Sequence, residues 1–343
     1  MGGPKMLGME ELKERKERAK VGTTMVECPV KRCTVRANRI DIANLKSLDV
    51  CHEKGRIGEA FERFKNYFCE EHKIFITPST FIYSDYADNC LWRNQVDMAL
   101  LEKVLWKKRV KAQLYHDNSE DAITWNVFRF LEKNSLLEGL VSDMAETPQR
   151  QAKIIYWSYC QEEESDWGLL NKAREEFGEE TARGSEPDII IKTDRALFFI
   201  EAKLTAGNET SDKNKGPKKY ETGGNNWFSQ VFTSDYRRAA ITAKKYELTR
   251  FWLLGTWMAE KTGVDFYLIN LVPENKEKEI EKLFGRHIKQ SQKRRFFRKT
   301  WESVCKYILA QHQAVDKDRM IRFLRNKTTG YKNGILQKAF VII

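Results

Sequence analysis

Apolar residues recur along this chain with two different periods. Residues 55–72 carry Ile57, Ala60, Phe61, Phe64, Tyr67 and Phe68 at three-to-four spacing, which predicts an amphipathic helix. Ile74-Phe75-Ile76-Thr77 reads as a strand stopped by Pro78. Helical spacing returns over 95–110 through Val96, Ala99, Leu100, Val104 and Leu105. Ser119 is placed to cap a helix running to about Lys133, with Ile123, Val127, Phe130 and Leu131 on one face. Ile154-Ile155-Tyr156-Trp157 predicts a strand, and 166–180 a helix. Two β-rich runs follow, Asp188 to Ile191 and Ala196 to Ile200. A Gly- and Lys-rich loop covers about 205–224. A helix opens at Asn225 or Asn226 and carries Phe228, Val231, Phe232, Ala239, Ala243 and Tyr246. Phe251 to Leu254 and Phe266 to Ile269 read as two further strands, and beyond Pro273 the chain reads as basic and helical. Such an order predicts an α/β layer architecture.

Composition narrows the class. At 343 residues the chain suits two domains or one large core with additions, and 41% hydrophobic residues exclude a disordered polymer. The longest apolar stretch, Phe251 to Trp257, falls far short of the roughly 18 residues of a spanning helix. No apolar signal core opens the chain, so a soluble, cytoplasmic protein without membrane association is expected. Residues 1–22 are highly charged and read as a frayed or solvated helix. Sixty Lys and Arg against 49 Asp and Glu leave a formal charge of +11, which permits an anionic partner. Three regions are expected: an accessory region over 1–110 that binds substrate or a partner, a core over 111–274, and a basic helical region over 275–343.

Seven cysteines at wide spacing, without a signal peptide, argue against a disulfide scaffold. Cys28 and Cys33 flank a Pro-containing turn, and Cys51-His52 follows, so these four offer a sulfur–nitrogen set for zinc. Cys69 lies three residues before His72 but falls within the predicted 55–72 helix, and no second tight Cys pair follows. The plainer reading is reduced, buried thiols.

The informative stretch runs from Pro187-Asp188 through Glu201-Ala202-Lys203. Two apolar runs flank a polar turn, so a hairpin is expected. With the turn centred between Thr193 and Asp194, Lys192 opposes Arg195, Ile190 opposes Leu197 and Asp188 opposes Phe199. Glu201 then lies diagonally from Asp188 on the same face, and Lys203 shares that face because strand side chains alternate. Both runs are apolar on both faces, which predicts a covered sheet where clustered charges need one another, a metal or a cleft. Two carboxylates and a lysine suit metal-assisted phosphodiester hydrolysis. Glu-x-Lys alone carries little weight, since Glu11-Leu12-Lys13 and Glu71-His72-Lys73 match it too. The context of the two runs makes the signal.

In these residues the chain resembles the PD-(D/E)XK nuclease superfamily over about 117–272. The resemblance implies a restriction-endonuclease-like core, a central mixed sheet flanked by helices, with mainly helical additions at both ends. It implies that Asp188, Glu201 and the Ala202 carbonyl ligate Mg2+, which Mn2+ can replace, and that Lys203 positions the attacking water. Family members often carry another acid on the helix before the sheet, and Glu120 is the candidate here. Its alternative role is to offset the helix dipole. Glu186 is a weaker candidate, facing Glu201 in the expected register. Gln230 is followed by Tyr236, two residues later than the Gln-x-x-x-Tyr spacing of the RecB-like subgroup, and is a second candidate for the cleft.

Lys213, Lys215, Lys218 and Lys219 in the loop after Lys203, and Lys293, Arg294 and Arg295 beside Phe296-Phe297, are candidate phosphate contacts. For Phe296 and Phe297 a place in the core competes with base stacking. The expected activity is a Mg2+-dependent endonuclease acting on DNA rather than RNA, in a restriction or phage-defence setting. Repair or recombination is the alternative setting, and a non-catalytic nucleic-acid binder on the same fold is the alternative class. A double-strand cutter suits a homodimer.

Overall fold

The computed structural model describes residues 13–54, 57–109, 112–180, 184–211 and 218–342. Along the chain, β1 (Met25–Glu27) and β2 (Arg36–Asn38) pair, and α1 (Ile42–Glu53) and α2 (Ile57–Phe64) follow. β3 (Phe68–Cys69), β4 (Ile74–Ile76) and β5 (Phe81–Tyr83) form a three-stranded antiparallel sheet. Then come α3 (Gln95–Lys107), α4 (Glu120–Lys133) and α5 (Leu137–Ala145). β6 (Lys153–Tyr156), β7 (Tyr159–Cys160) and β8 (Ser165–Asp166) precede α6 (Gly168–Glu176), β9 (Ile189–Lys192) and β10 (Ala196–Ala202). α7 (Lys218–Val231), α8 (Tyr246–Thr262), β11 (Asp265–Val272), α9 (Ile280–Gly285) and β12 (Arg294–Thr300) complete this part. The chain closes with α10 (Trp301–Ala310), α11 (Lys317–Asn326) and the hairpin of β13 (Thr328–Lys332) and β14 (Ile335–Lys338).

The contacts divide into two units, each discontinuous in sequence. The first comprises Met1–Asn94, Gln113–Phe130 and Cys305–Ile343; the second comprises Gln95–Ala112 and Leu131–Val304. No helix among the described residues is long and apolar enough to cross a membrane.

The second unit is α/β. Its seven-stranded sheet has the order β12-β11-β10-β9-β6-β7-β8, parallel across β10, β11 and β12 and antiparallel elsewhere. Leu197, Phe199, Ile190, Phe266, Leu268 and Phe296 lie on one face, in a core shared with α6, α7, α8 and α9. Phe198, Ile200, Ile189, Ile191, Tyr267 and Ile269 lie on the other face and are buried as well. A sheet covered on both faces needs continuous apolar runs rather than alternation, which is what β9 and β10 carry.

Several elements depart from the local pattern. Phe251 to Leu254 belongs to α8 rather than a strand. A four-residue apolar run suits either a strand or a helix buried all round, and here all four side chains are buried. The expected basic helix beyond Pro273 is interrupted by β12, where Phe296 points into the core and its neighbours do not. The expected 55–72 helix stops at Phe64, and Cys69 ends a strand. Gly223 to Asn226 take non-helical backbone (φ 59° at both Asn225 and Asn226) and divide α7 into two helical stretches. A helix does open after Asn226 as expected, but it ends at Val231, and Ala239 and Tyr246 fall in later elements. Residues 1–12 of the expected N-terminal helix lie outside the described residues. Residues 13–22 are not helical, and Arg15 is buried there against the Tyr83 hydroxyl, 2.9 Å away.

Candidate active site

The β9–β10 hairpin sets the site. Its pairs are Lys192 with Leu197, Ile191 with Phe198, Ile190 with Phe199 and Ile189 with Ile200. That register is two residues away from the one the turn predicts. The turn is wider because the Thr193 hydroxyl accepts the N–H groups of Arg195 (3.2 Å) and Ala196 (2.9 Å), while Thr193 N–H donates to the Ala196 carbonyl (2.9 Å). A shift of two keeps every side chain on its face, whereas a shift of one would have inverted them. Continued one step past Ile189, the pairing brings Asp188 level with Glu201 instead of diagonal to it. Glu186 no longer faces Glu201. It bonds the N–H and guanidinium of Arg109, with Arg109 Nη1 3.2 Å from Glu186 Oε1.

Asp188 is held from two sides. Its Oδ2 accepts the Ala202 N–H (2.8 Å) and its Oδ1 accepts the Trp157 indole N–H (3.0 Å). Ala202 thus meets Asp188 through its amide hydrogen. Trp157 occupies a two-residue turn between β6 and β7 in which both Trp157 (φ 49°) and Ser158 (φ 125°) have positive φ. That turn normally selects Asn or Gly, so a bulky side chain there is strained. The indole is fixed further by the Asp188 carbonyl, which accepts the Trp157 backbone N–H (3.0 Å), and by Lys108 over its ring (5.0 Å).

Lys203 follows on the same face. Its Nζ donates to Glu201 Oε1 (2.5 Å) and lies 3.6 Å from Glu247 Oε2. Glu247 is a residue the sequence reading missed. It stands in the first turn of α8, and the loop after Lys203 positions it: Thr210 Oγ1 accepts the Glu247 N–H (3.0 Å) and the Thr210 carbonyl accepts the Tyr246 N–H (3.2 Å). Glu247 Oε2 is buried and has no hydrogen-bond partner among the described residues. The signal lay in Tyr246-Glu247-Leu248 preceding the apolar run. Read as a helix returning between parallel strands, that run carries its first turn back to the carboxyl end of β10.

Three carboxylates thus surround one ammonium group. Burial, then Asp188 and Glu247, push the Glu201 carboxyl well above the usual range, against the pull of Lys203. Burial works against the charge on Lys203, but Glu201, Asp188 and Glu247 outweigh it, so its pKa is raised and it stays protonated. Counted with all three carboxylates ionised, the set carries two more negative charges than positive ones. The raised Glu201 carboxyl cuts that excess to one while it keeps its proton, and Glu247 Oε2 faces Lys203 without a hydrogen bond. A hard divalent cation with oxygen ligands matches both. Asp188, Glu201 and Glu247 could serve as its ligands, although as placed their oxygens are not gathered as tightly as the donors of the Cys28, Cys33, Cys69 and His72 cluster.

The remaining candidates are placed as follows. Glu120 stands in the first turn of α4, in the first unit, whereas Asp188, Glu201 and Lys203 belong to the second. Gln230 is exposed on α7, and Tyr236 is buried in a stack on Tyr220 (5.3 Å between rings). Lys213 and Lys215 lie outside the described residues. Lys218 and Lys219 are exposed, Lys219 donating to the Gly178 carbonyl (3.1 Å). On β12 the side chains alternate: Arg294 shares the face of Phe296, while Arg295, Phe297 and Lys299 share the other. Arg295 lies 4.3 Å and Lys299 5.1 Å from the Phe297 ring, which stacks on Tyr267 (6.3 Å). Glu201 is level with Asn270, and Asn270 with Arg298, on the Phe296 face, so Arg295 and Lys299 point to the reverse of the acidic cluster. Lys293 is exposed just before the strand.

The first unit gathers a different set of donors. Cys28, Cys33, Cys69 and His72 lie with one donor atom each within 4.8 Å of all the others, and all four residues are buried. This cluster can hold a metal such as zinc. It replaces the expected set in half: Cys51 and His52 are elsewhere, His52 lying 3.0 Å from both the Leu48 and Tyr83 carbonyls and stacked on Tyr115 (4.5 Å). Cys69 takes part because it ends β3 instead of sitting within a helix.

No protein-family model, curated protein or solved structure matches this chain at a significant level.

Proposed function

We propose that the second unit is a Mg2+-dependent nuclease of the PD-(D/E)XK kind, with a restriction-endonuclease-like core, acting on DNA. The observation that carries the reading is the convergence of Asp188, Glu201, Lys203 and Glu247 at one end of a covered sheet, in a set with more acidic groups than basic ones. Chance clustering of charges at a hairpin end would leave them solvated, whereas Glu201 is 4% exposed.

A bound Mg2+ would polarise the phosphate and lower the pKa of an attacking water. Asp188, pinned by Trp157 and Ala202, presents a fixed carboxylate to the cation. Glu201 would be a second oxygen ligand, and its contact with Lys203 is the one a bound cation would compete with. Lys203, kept protonated by its neighbours, then stands free to orient the water and to offset the charge growing on the phosphate oxygens. The water oxygen would join phosphorus and the bond to the 3′ oxygen would break, with one proton leaving the water and one ending on the departing 3′ oxygen, giving a 5′-phosphate and a 3′-hydroxyl. A restriction or phage-defence role fits a nuclease unit joined to a separate unit.

The test is incubation of the purified chain with circular and linear DNA, single strands and RNA, in Mg2+, Mn2+ or EDTA. Metal-dependent cutting of DNA that disappears in Asp188→Ala and Lys203→Ala supports the proposal. Binding without nicking in any metal replaces it with the non-catalytic reading.

A further inference from the structure

We propose that Cys28, Cys33, Cys69 and His72 form a structural zinc site that staples the N-terminal elements of the first unit together. The first argument is geometric. Zinc–sulfur bonds of about 2.3 Å and zinc–nitrogen bonds of about 2.0 Å at tetrahedral angles put two sulfurs roughly 3.8 Å apart and a sulfur and a nitrogen roughly 3.5 Å apart. Here Cys33 Sγ and Cys69 Sγ are 3.9 Å apart, and His72 Nδ1 lies 3.5 Å from Cys28 Sγ and 3.6 Å from Cys69 Sγ. These are three of the six edges of a tetrahedron of the right size, and the other three are no longer than 4.8 Å.

The second argument is the chain around each donor. Cys28 follows β1, and Cys33 follows a turn closed by its own N–H on the Val30 carbonyl (3.2 Å). Cys69 ends β3, and His72 N–H donates to the Cys69 carbonyl (3.2 Å) in the turn to β4. His72 Nε2, on the side away from the sulfurs, lies 3.7 Å from Glu71 Oε1, the acidic partner that orients many zinc-bound imidazoles. Glu71 Oε2 also accepts the Cys33 thiol (3.2 Å).

The third argument is need. β1 and β2 form a two-stranded sheet and β3 to β5 a three-stranded one, and strands of two or three residues share few backbone hydrogen bonds. A tetrahedral ion bonded to both segments supplies cross-links that such short sheets lack. All four positions are filled by protein, so the site is closed and structural, with none left for substrate.

Metal content of the purified full-length chain tests this without reference to nuclease activity. One zinc per chain is expected after dialysis. Cobalt substitution should give the visible bands of a tetrahedral centre and a thiolate charge-transfer band of three-sulfur strength. Cys69→Ser and His72→Ala should lose the metal, whereas Cys51→Ser and His52→Ala should keep it. Should the first pair fail to fold, release of zinc from the unaltered chain as its thiols are titrated with a mercurial, read with a colorimetric chelator, gives the same answer. A zinc-free chain that yields no tetrahedral thiolate spectrum with cobalt overturns the proposal. So does equal metal loss in the Cys51 and His52 variants.

Discussion

The indole Nε1 of Trp157 donates to Asp188 Oδ1 over 3.0 Å, from a turn in which Trp157 and Ser158 both have positive φ. Strain stored beside a carboxylate that also takes the Ala202 amide fixes that carboxylate in one orientation. Trp157→Phe keeps the packing and removes the donor. We expect cleavage to fall by about 10–100-fold, the usual cost of losing an outer partner of a metal ligand. The Mg2+ concentration for half activity should rise with little change in circular dichroism. An unchanged Mg2+ dependence would reduce the contact to packing.

Asp188→Ala and Lys203→Ala remove groups that the proposed reaction uses directly. Each is expected to reduce cutting by at least about 100-fold, since metal and charge stabilisation are worth several kcal/mol. Glu247→Gln keeps the shape of the site and removes one of the charges facing Lys203, so it should weaken Mg2+ binding while leaving the fold intact. Cleavage assays across a Mg2+ titration distinguish the two outcomes.

Glu201 carries a stability cost without a cation. Its carboxyl titrates well above the usual range in the folded chain, chiefly because it is buried and then because Asp188 repels its charge. Below the ordinary carboxylate range, both folded and unfolded states hold the proton. As pH rises through that range the unfolded state releases it first, so the folded state loses stability until its own, higher pKa is passed. Glu201→Gln should therefore melt higher than the parent at neutral pH in EDTA, and the gain should shrink towards acidic pH. The same variant should be inactive. Thermal melts from acidic to neutral pH check both the sign and the window.

Mg2+ should stabilise the parent chain through these carboxylates. At 100 times its dissociation constant a ligand that binds only the folded state adds about 2.7 kcal/mol. A Mg2+-dependent rise in melting temperature is expected for the parent chain and should be absent from Asp188→Ala. An equal rise in both would place the ion elsewhere.

Gly255 lets α8 lie close on β11. A Cβ built there would meet the Phe266 ring at 2.1 Å. Gly255→Ala is expected to cost about 1–3 kcal/mol by overpacking, measured by denaturant unfolding. Because α8 also carries Glu247, activity should fall with it.

Much of the second unit was legible from local pattern. Continuous apolar runs at 189–191 and 196–200 announced a covered sheet, and Ser119 caps α4 with its hydroxyl 3.1 Å from the Ala122 N–H. Asp188, Glu201 and Lys203 were assigned to one face although the register differed by two, because alternation has period two and an even slip preserves it. What local pattern could not supply was any residue brought in from a distant element. Glu247 is 44 residues beyond Lys203, in a helix whose apolar run reads equally as a strand until neighbours bury it all round. Cys69 joins Cys28 and Cys33 only because the 55–72 periodicity yields to a strand that pairs with β4. Sequence by itself determined which side chains share a face. Tertiary structure decided which faces meet, because that depends on burial and pairing between segments that carry no mark of each other.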